Sequence, residues 1–245
     1  MLHNVTYDYD ILAKILQTWL IKPVTKYDWS MRRKELTVAL ADIAAGQRGF
    51  LTRAQAVAAR ADDEDLRRAV RGGWLERAGH GLYRVIGAGV RANDEIYAAW
   101  LRLTPGRDVR ERLAEPDAIV AGASAAAVYG IGDVPERVHE FIVFHRTQTR
   151  DPDVRLHLRR DIGAQRWRVA DDLPVQEPAD AAAWILDHGE GDPAHVGQLM
   201  AEAIATGLAD PRRAAQVLGT VARRWKVHVD TLLGDAAAHA VFTAP

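Results

Sequence analysis

The sequence predicts an α+β protein built from two unlike parts. Residues 31–90 carry three short helical patterns and then two strand patterns around a Gly-His-Gly turn, whereas residues 91–245 change from strand patterns to a series of helices. The charge divides at the same place: the 245-residue chain has a net charge of −1, but residues 31–90 carry +4 and residues 91–245 carry −5. We therefore expect an arm (1–30), a basic domain (31–90) and an acidic domain (91–245), with partners of opposite character.

Composition excludes several classes of protein. With 48% hydrophobic and 27% charged residues, the chain has the composition of a protein with a folded core rather than that of a disordered one. It contains no cysteine, which excludes disulfides, thiolate nucleophiles and cysteine-ligated metal sites. No signal-peptide or membrane-span pattern is present, so we expect a cytoplasmic protein without a membrane partner.

The first thirty residues differ in composition from the rest. They contain no arginine, although the chain has 27, and apolar residues between Ile11 and Leu20 recur with a helical period that Pro23 would end. Two interpretations stay open. The segment is a helical arm that docks on the protein or on a partner, or it is upstream sequence translated ahead of a start at Met31.

Two helices are predicted at the beginning of the basic domain. Arg32–Ala45 has the spacing of an amphipathic helix that ends at Gly46. Thr52 follows as an N-cap, with Gln55 at the position that completes a capping box. A short second helix over Arg53–Ala59 is therefore expected.

A third helix and a hairpin complete this domain. Asp62 or Asp63 caps a helix with acids in its first turn and arginines in its later turns, and Gly72 with the next glycine ends it. Strand patterns follow at Trp74–Arg77 and Leu82–Ile86, joined by the Gly-His-Gly turn. Three helices followed by a hairpin predict a winged helix-turn-helix. In such a domain the third helix enters the major groove of DNA, and the hairpin, called the wing, lies along the DNA backbone.

The basic side chains fit such a role. Three arginines of the third helix are spaced to cover one sector, where they could pair with guanine edges or phosphate oxygens, and others suit the DNA backbone from the second helix and the wing. The alternative is a solvated arginine face on a small helical domain. The predicted DNA-binding residues are Thr52, Arg53, Arg60, Arg67, Arg68, Arg71, Arg77, His80 and Arg84.

The acidic domain is predicted to be mixed, with a few strands and a helical array. A helix is expected over Asn93–Leu103, and a strand with a tightly packed helix over Ala118–Tyr129. Val138–Phe144 and Val154–Arg159 have strand patterns. The pattern then turns helical, and a proline stands near the start of each of three helices, at Pro178, Pro193 and Pro211.

Patterns that could indicate an enzyme are weak. Gly87–Ala92 has the spacing of a dinucleotide loop, but no βαβ unit follows it. Ser124 is not in a nucleophile motif, and His139 and His145 are too far apart along one strand for one metal ion. Lys226 is the only lysine after residue 34. We therefore assign no catalytic residue, cofactor or metal.

Residues 49–86 resemble a known family. Their string GFLTRAQAVAA…DLRRAVRGGWLERAGHGLYRV is similar to the N-terminal domain of AbiEi-type antitoxins, which are partners of AbiEii-type nucleotidyltransferase toxins. The matching positions are Leu51, Thr52, Gln55, Ala56, Leu66, Val70, Gly73, Leu75, Arg77, Gly81 and Tyr83.

The resemblance extends more loosely over Ser124–Gly130, Val138–His157 and Leu173–Pro178. It implies an N-terminal domain that binds operator DNA as a homodimer and represses its own operon. It also implies a C-terminal domain that neutralises the toxin by direct complex formation, by modification or by indirect antagonism. The alternative is a stand-alone winged-helix regulator whose C-terminal domain senses a ligand or dimerises.

Overall fold

The computed structural model describes residues 26–161, 166–189 and 191–233, with side chains described from residue 34 onward. It is an α+β fold, as the sequence predicts. The apolar pattern from Ile11 to Leu20 lies outside the described residues. Among the residues that are described, no helix is long and apolar enough to cross a membrane.

The N-terminal part combines three helices with a small sheet. Its predicted elements are present in the expected order, with one strand added between the first two helices. The elements are α1 (Lys26–Ala45), β1 (Phe50–Thr52), α2 (Arg53–Ala58), α3 (Asp63–Arg71), β2 (Leu75–Gly79) and β3 (Leu82–Val85).

Helix α1 begins earlier than predicted, at Lys26 instead of Arg32. No glycine or proline interrupts the sequence from Lys26 to Ala45, so nothing in the chain stops the helix at residue 32. The expected boundary between residues 30 and 31 therefore lies inside a continuous helix.

Strand β1 was not predicted from the sequence. It pairs antiparallel with β3, with Leu51 opposite Tyr83, and β3 pairs antiparallel with β2 across the predicted turn. A three-residue segment is too short to show alternation. All three residues of β1 are buried, because the strand packs against helices α1 and α2.

The C-terminal part contains the remaining elements. Two helices precede its sheet, and four helices follow it. In chain order they are α4 (Asp94–Leu103), α5 (Val109–Ala114), β4 (Ala118–Val120), α6 (Gly122–Tyr129), β5 (His139–Val143), β6 (Val154–Leu158), β7 (Trp167–Ala170), β8 (Leu173–Gln176), α7 (Pro178–His188), α8 (Pro193–Ala205), α9 (Pro211–Trp225) and α10 (Val229–Leu233).

The five-stranded sheet has the order β6-β5-β4-β8-β7, and parallel and antiparallel pairs alternate across it. Strands β7 and β8 and helices α5 and α10 were not predicted from the sequence. Pro174 lies inside β8, where proline ordinarily argues against a strand. The two strands are joined by Asp171 and Asp172 alone, and both have positive φ, as a tight hairpin requires.

The helical array follows the predicted caps. Asp192 and Asp210 accept backbone hydrogen bonds at the starts of α8 and α9, and each is followed by proline. The buried faces of these helices form one apolar cluster that includes Ile185, Leu199 and Leu218. Helix α6 joins this cluster to the large sheet, because it packs against α7 and also against β5 and β8.

The two parts of the chain share a core. Phe50 and Leu82, from the small sheet, belong to the same buried cluster as Tyr97 and Trp100 of α4. The ring of Phe50 lies 6.1 Å from that of Tyr97, measured between centroids. The sheet of the N-terminal part is therefore fixed against the C-terminal part by apolar packing.

Candidate nucleic-acid interface

Helices α2 and α3 are both positioned by capping boxes. The hydroxyl of Thr52 accepts the N–H of Gln55 at 3.1 Å, and Gln55 returns a bond to the N–H of Thr52. Asp62 and Asp65 make the same exchange at the start of α3, at 2.8 and 3.2 Å. Each pair satisfies two N–H groups that the helix leaves open, so the start of each helix follows from local sequence.

Thr52 is fully buried, and its hydroxyl also bonds the carbonyl of Pro105 in the C-terminal part. We predict that Thr52→Ala lowers the free energy of unfolding by about 1–2 kcal/mol, because it removes an N-cap and leaves buried groups unpaired. Urea unfolding measures this. Thr52→Ser keeps the hydroxyl, so a loss as large in Thr52→Ser as in Thr52→Ala would contradict the capping explanation.

The three arginines of α3 are exposed and lie together on its surface. The side chains of Arg67, Arg68 and Arg71 are 55%, 45% and 66% exposed, while Leu66 on the opposite face is fully buried. All three arginines contact the carboxylate of Glu64, at 2.9, 3.3 and 2.7 Å respectively. Arg71 and Arg67, through their hydrogen bonds, lower the pKa of Glu64.

Arg53 at the start of α2 is joined to the start of α3. Its guanidinium donates two hydrogen bonds to Asp63, at 2.6 and 2.9 Å, and this contact raises the pKa of Arg53 and lowers that of Asp63. The N–H of Arg53 also bonds the carbonyl of Gly81 at 2.8 Å. The starts of both helices and the hairpin turn therefore lie side by side. Arg60, between the helices, is exposed and has positive φ.

The residues of the β2–β3 hairpin, the predicted wing, differ in their accessibility. Arg77 is exposed and its guanidinium lies 5.6 Å from the centre of the Tyr83 ring, and His80 is exposed in the turn. Arg84, in contrast, is mostly buried, with 13% of its side chain exposed, and donates to Asp94 at 2.8 Å. Thr52 and Arg84 thus lie at the junction with the C-terminal part, whereas the other predicted residues lie on the surface.

One buried arginine at the same junction was missed by the sequence analysis. Arg48 is 1% exposed at its side chain and contacts Asp94 at 3.6 Å, Asp171 at 3.0 Å and Asp172 at 3.5 Å. Its guanidinium also lies 4.3 Å from the centre of the Tyr97 ring. These four charged residues, here named the junction cluster, join the α1–β1 loop to α4 and to the β7–β8 turn.

The turn of the β2–β3 hairpin also contacts the C-terminal part. Arg102 on α4 bonds Asp151 in the β5–β6 loop, and its guanidinium approaches the position that a Cβ on Gly79 would occupy. An open cleft of about 650 Å³ lies here, lined by residues that include His80, Arg102 and Arg150. The wing is therefore in contact with the C-terminal part rather than free in solvent.

A second polar group surrounds Glu140 in the large sheet. Its carboxylate is 1% exposed, accepts from Arg155 at 2.9 Å and from the Trp184 indole at 3.3 Å, and lies 3.4 Å from His157. His139 contacts Glu136 instead, so these two histidines face different carboxylates. In the described part of the chain, no group of three or more histidine, aspartate or glutamate residues could hold a metal ion.

Comparison with known proteins bears on the first of these sites. Residues 38–86 match the model of a family described as "Transcriptional regulator, AbiEi antitoxin". The resemblance to the AbiEi family is thus confirmed for this segment. It runs from within α1 to the residue after β3, and it therefore contains the capping boxes, the α3 arginines and the wing. It supports a role for the AbiEi-type segment as a regulator in a toxin–antitoxin system.

One solved structure aligns with more of the chain than this segment. The crystal structure of the RV2827C protein from Mycobacterium tuberculosis aligns with 84% of this chain and 80% of its own, at 18% identity and a TM-score of 0.49. No curated protein matches the chain.

Proposed function

We propose that this protein is an AbiEi-type antitoxin that binds operator DNA and represses its own operon. The observation that carries the proposal is that the family match, residues 38–86, coincides with the basic elements that surround α3. Six of the eight arginines in this segment are exposed and can contact phosphate, although the net charge of the whole chain is −1.

In this proposal, α1 to β3 form a winged helix-turn-helix. Helix α3 enters the major groove, where Arg67, Arg68 and Arg71 contact bases and phosphates. Arg53 and Arg60 contact the backbone beside the groove, and the wing adds Arg77 and His80. Thr52 and Arg84 make the internal contacts described above and are not assigned to DNA. A homodimer would place two copies of α3 on half-sites one helical turn apart.

A mobility-shift titration tests this part of the proposal. The probe is a duplex with the sequence immediately upstream of the reading frame, and a shuffled duplex of the same composition serves as control. We expect a shift of the upstream duplex at protein concentrations that leave the shuffled one free. Equal shifts of both would contradict an operator function.

For residues 91–245, we propose neutralisation of a nucleotidyltransferase-type toxin. The net charge of −5 in this part supports an encounter with a basic partner that handles RNA. Three routes are open: a direct complex, modification of the toxin, and indirect antagonism.

Co-expression with the nucleotidyltransferase that the proposal expects beside this gene separates these routes. Co-purification of the two proteins indicates a complex, and a shifted mass of the released toxin indicates modification. Rescue of growth with neither indicates indirect antagonism. Failure to rescue growth would contradict the antitoxin role.

One observation favours a second function, that of a stand-alone regulator that senses a ligand. The open cleft of about 650 Å³ is lined by His80 of the hairpin turn and by residues of the β5–β6 loop, so a molecule bound there would contact both. The gene neighbourhood distinguishes the two functions, because an adjacent nucleotidyltransferase reading frame is expected only for the antitoxin.

A further inference from the structure

The carboxylate of Glu64 is the centre of the arginine group on α3. One of its oxygens lies 2.9 Å from Nε of Arg67, and the other lies 2.7 Å from Nη2 of Arg71 and 3.3 Å from Nε of Arg68. A single acid therefore contacts all three arginines of α3, the helix that the proposed function places in the major groove. Its own side chain is 35% exposed, so it shares their solvent-facing surface.

This arrangement has a consequence for binding to DNA of any sequence. Phosphate oxygens must compete with Glu64 for the guanidinium groups, and the carboxylate itself repels phosphate. Asp63 stands in the same relation to Arg53, with two hydrogen bonds at 2.6 and 2.9 Å. Glu64 and Asp63 therefore weaken the attraction of this arginine-rich surface to DNA of any sequence.

A sequence that satisfies Glu64 would remove this disadvantage. Glu64 is the second residue of α3, and the N-terminal residues of a recognition helix are those that contact base edges. A glutamate in this position can accept a hydrogen bond from the N4 amino group of cytosine, while a neighbouring arginine pairs with guanine. Bases without such a donor leave the carboxylate facing other acceptors.

We propose that Glu64 is a specificity-determining residue of this protein. It lowers the affinity for DNA in general and selects sites that place cytosine against the start of α3. The inference rests on the proposed DNA-binding function and assigns to it a residue of the opposite charge.

The test compares Glu64→Gln with wild type and with Glu35→Gln. Glu35 lies exposed on α1, so its substitution changes the net charge equally at a different place. Wild type and each variant select duplexes from a pool with a randomised central region. Fluorescence anisotropy then gives the Kd for the duplex that wild type prefers and for a shuffled version of it.

We expect Glu64→Gln to bind the shuffled duplex about tenfold more tightly than wild type, because one repulsive charge is lost and the arginines are freed. The ratio of the two affinities should fall at least tenfold, and the selected sequences should lose a cytosine preference at one base pair of each half-site. Glu35→Gln should change both affinities less than about twofold.

Other outcomes overturn the inference. If Glu64→Gln strengthens binding to both duplexes equally, Glu64 acts only as a charge. If the variant selects the same sequences as wild type, with the same ratio of the two affinities, Glu64 plays no part in recognition. Absence of binding by wild type to every duplex is a different result, since it removes the proposed function itself.

Discussion

Replacing Arg48 with methionine is expected to lower the free energy of unfolding by about 3 kcal/mol, because it removes a buried cation and leaves the buried carboxylate of Asp94 with one fewer partner. The Arg48 side chain is 1% exposed, and its replacement removes the guanidinium that contacts Asp94 and Asp171. Arg84 still contacts Asp94 at 2.8 Å, which places the expected loss near the lower end of the range for buried pairs. Urea unfolding followed by circular dichroism measures the change.

Arg91 provides a matched control for this prediction. It contacts the same Asp172 as Arg48 does, at 2.9 Å, but its side chain is 53% exposed. Arg91→Met should therefore cost less than about 1 kcal/mol, as exposed ion pairs do. Equal losses in the two variants would show that the burial of the Arg48 side chain is not what makes it important.

Replacing Arg67 and Arg71 with alanine together is expected to weaken binding to the preferred duplex about 100-fold. Loss of an arginine that contacts DNA bases costs about 1–3 kcal/mol, and each 1.4 kcal/mol is tenfold in affinity. The double variant also leaves Glu64 without two of its partners beside the DNA, which adds repulsion. Fluorescence anisotropy at fixed salt measures the change in Kd.

The control for this variant is Arg212→Ala with Arg223→Ala. Both arginines are exposed on α9, so the net charge falls by the same amount at a place outside the proposed interface. We expect less than a threefold change in Kd for the control. A control that weakens binding as much as the α3 variant would place the DNA contact elsewhere or make it a general effect of charge.

Local signals in the sequence predicted much of the N-terminal part. Thr52 with Gln55 indicated the start of α2, and glycines marked the end of α3 and the turn of the wing, because capping and positive φ depend on a few adjacent residues. The spacing of the α3 arginines likewise predicted that they share one exposed sector. Whether they contact DNA remains a prediction.

Contacts between distant segments were not predictable in this way. The junction cluster joins Arg48 to a turn more than 120 residues later, formed by two aspartates in a hairpin whose strand contains Pro174. Nothing near Arg48 in the sequence identifies that turn as its partner. The contacts of Glu64 differ, since its spacings of three and four residues to Arg67 and Arg68 could have been recognised as helical ion pairs.

The most direct test of the central claim is the salt dependence of binding to the upstream duplex. If the exposed arginines of residues 38–86 contact DNA, the logarithm of the association constant should fall linearly with that of the salt concentration, by about 0.9 per phosphate contact. With about four contacts, affinity should fall roughly 100-fold or more between 50 and 200 mM salt. Affinity that does not change over this range, or no binding at 50 mM, would contradict the account.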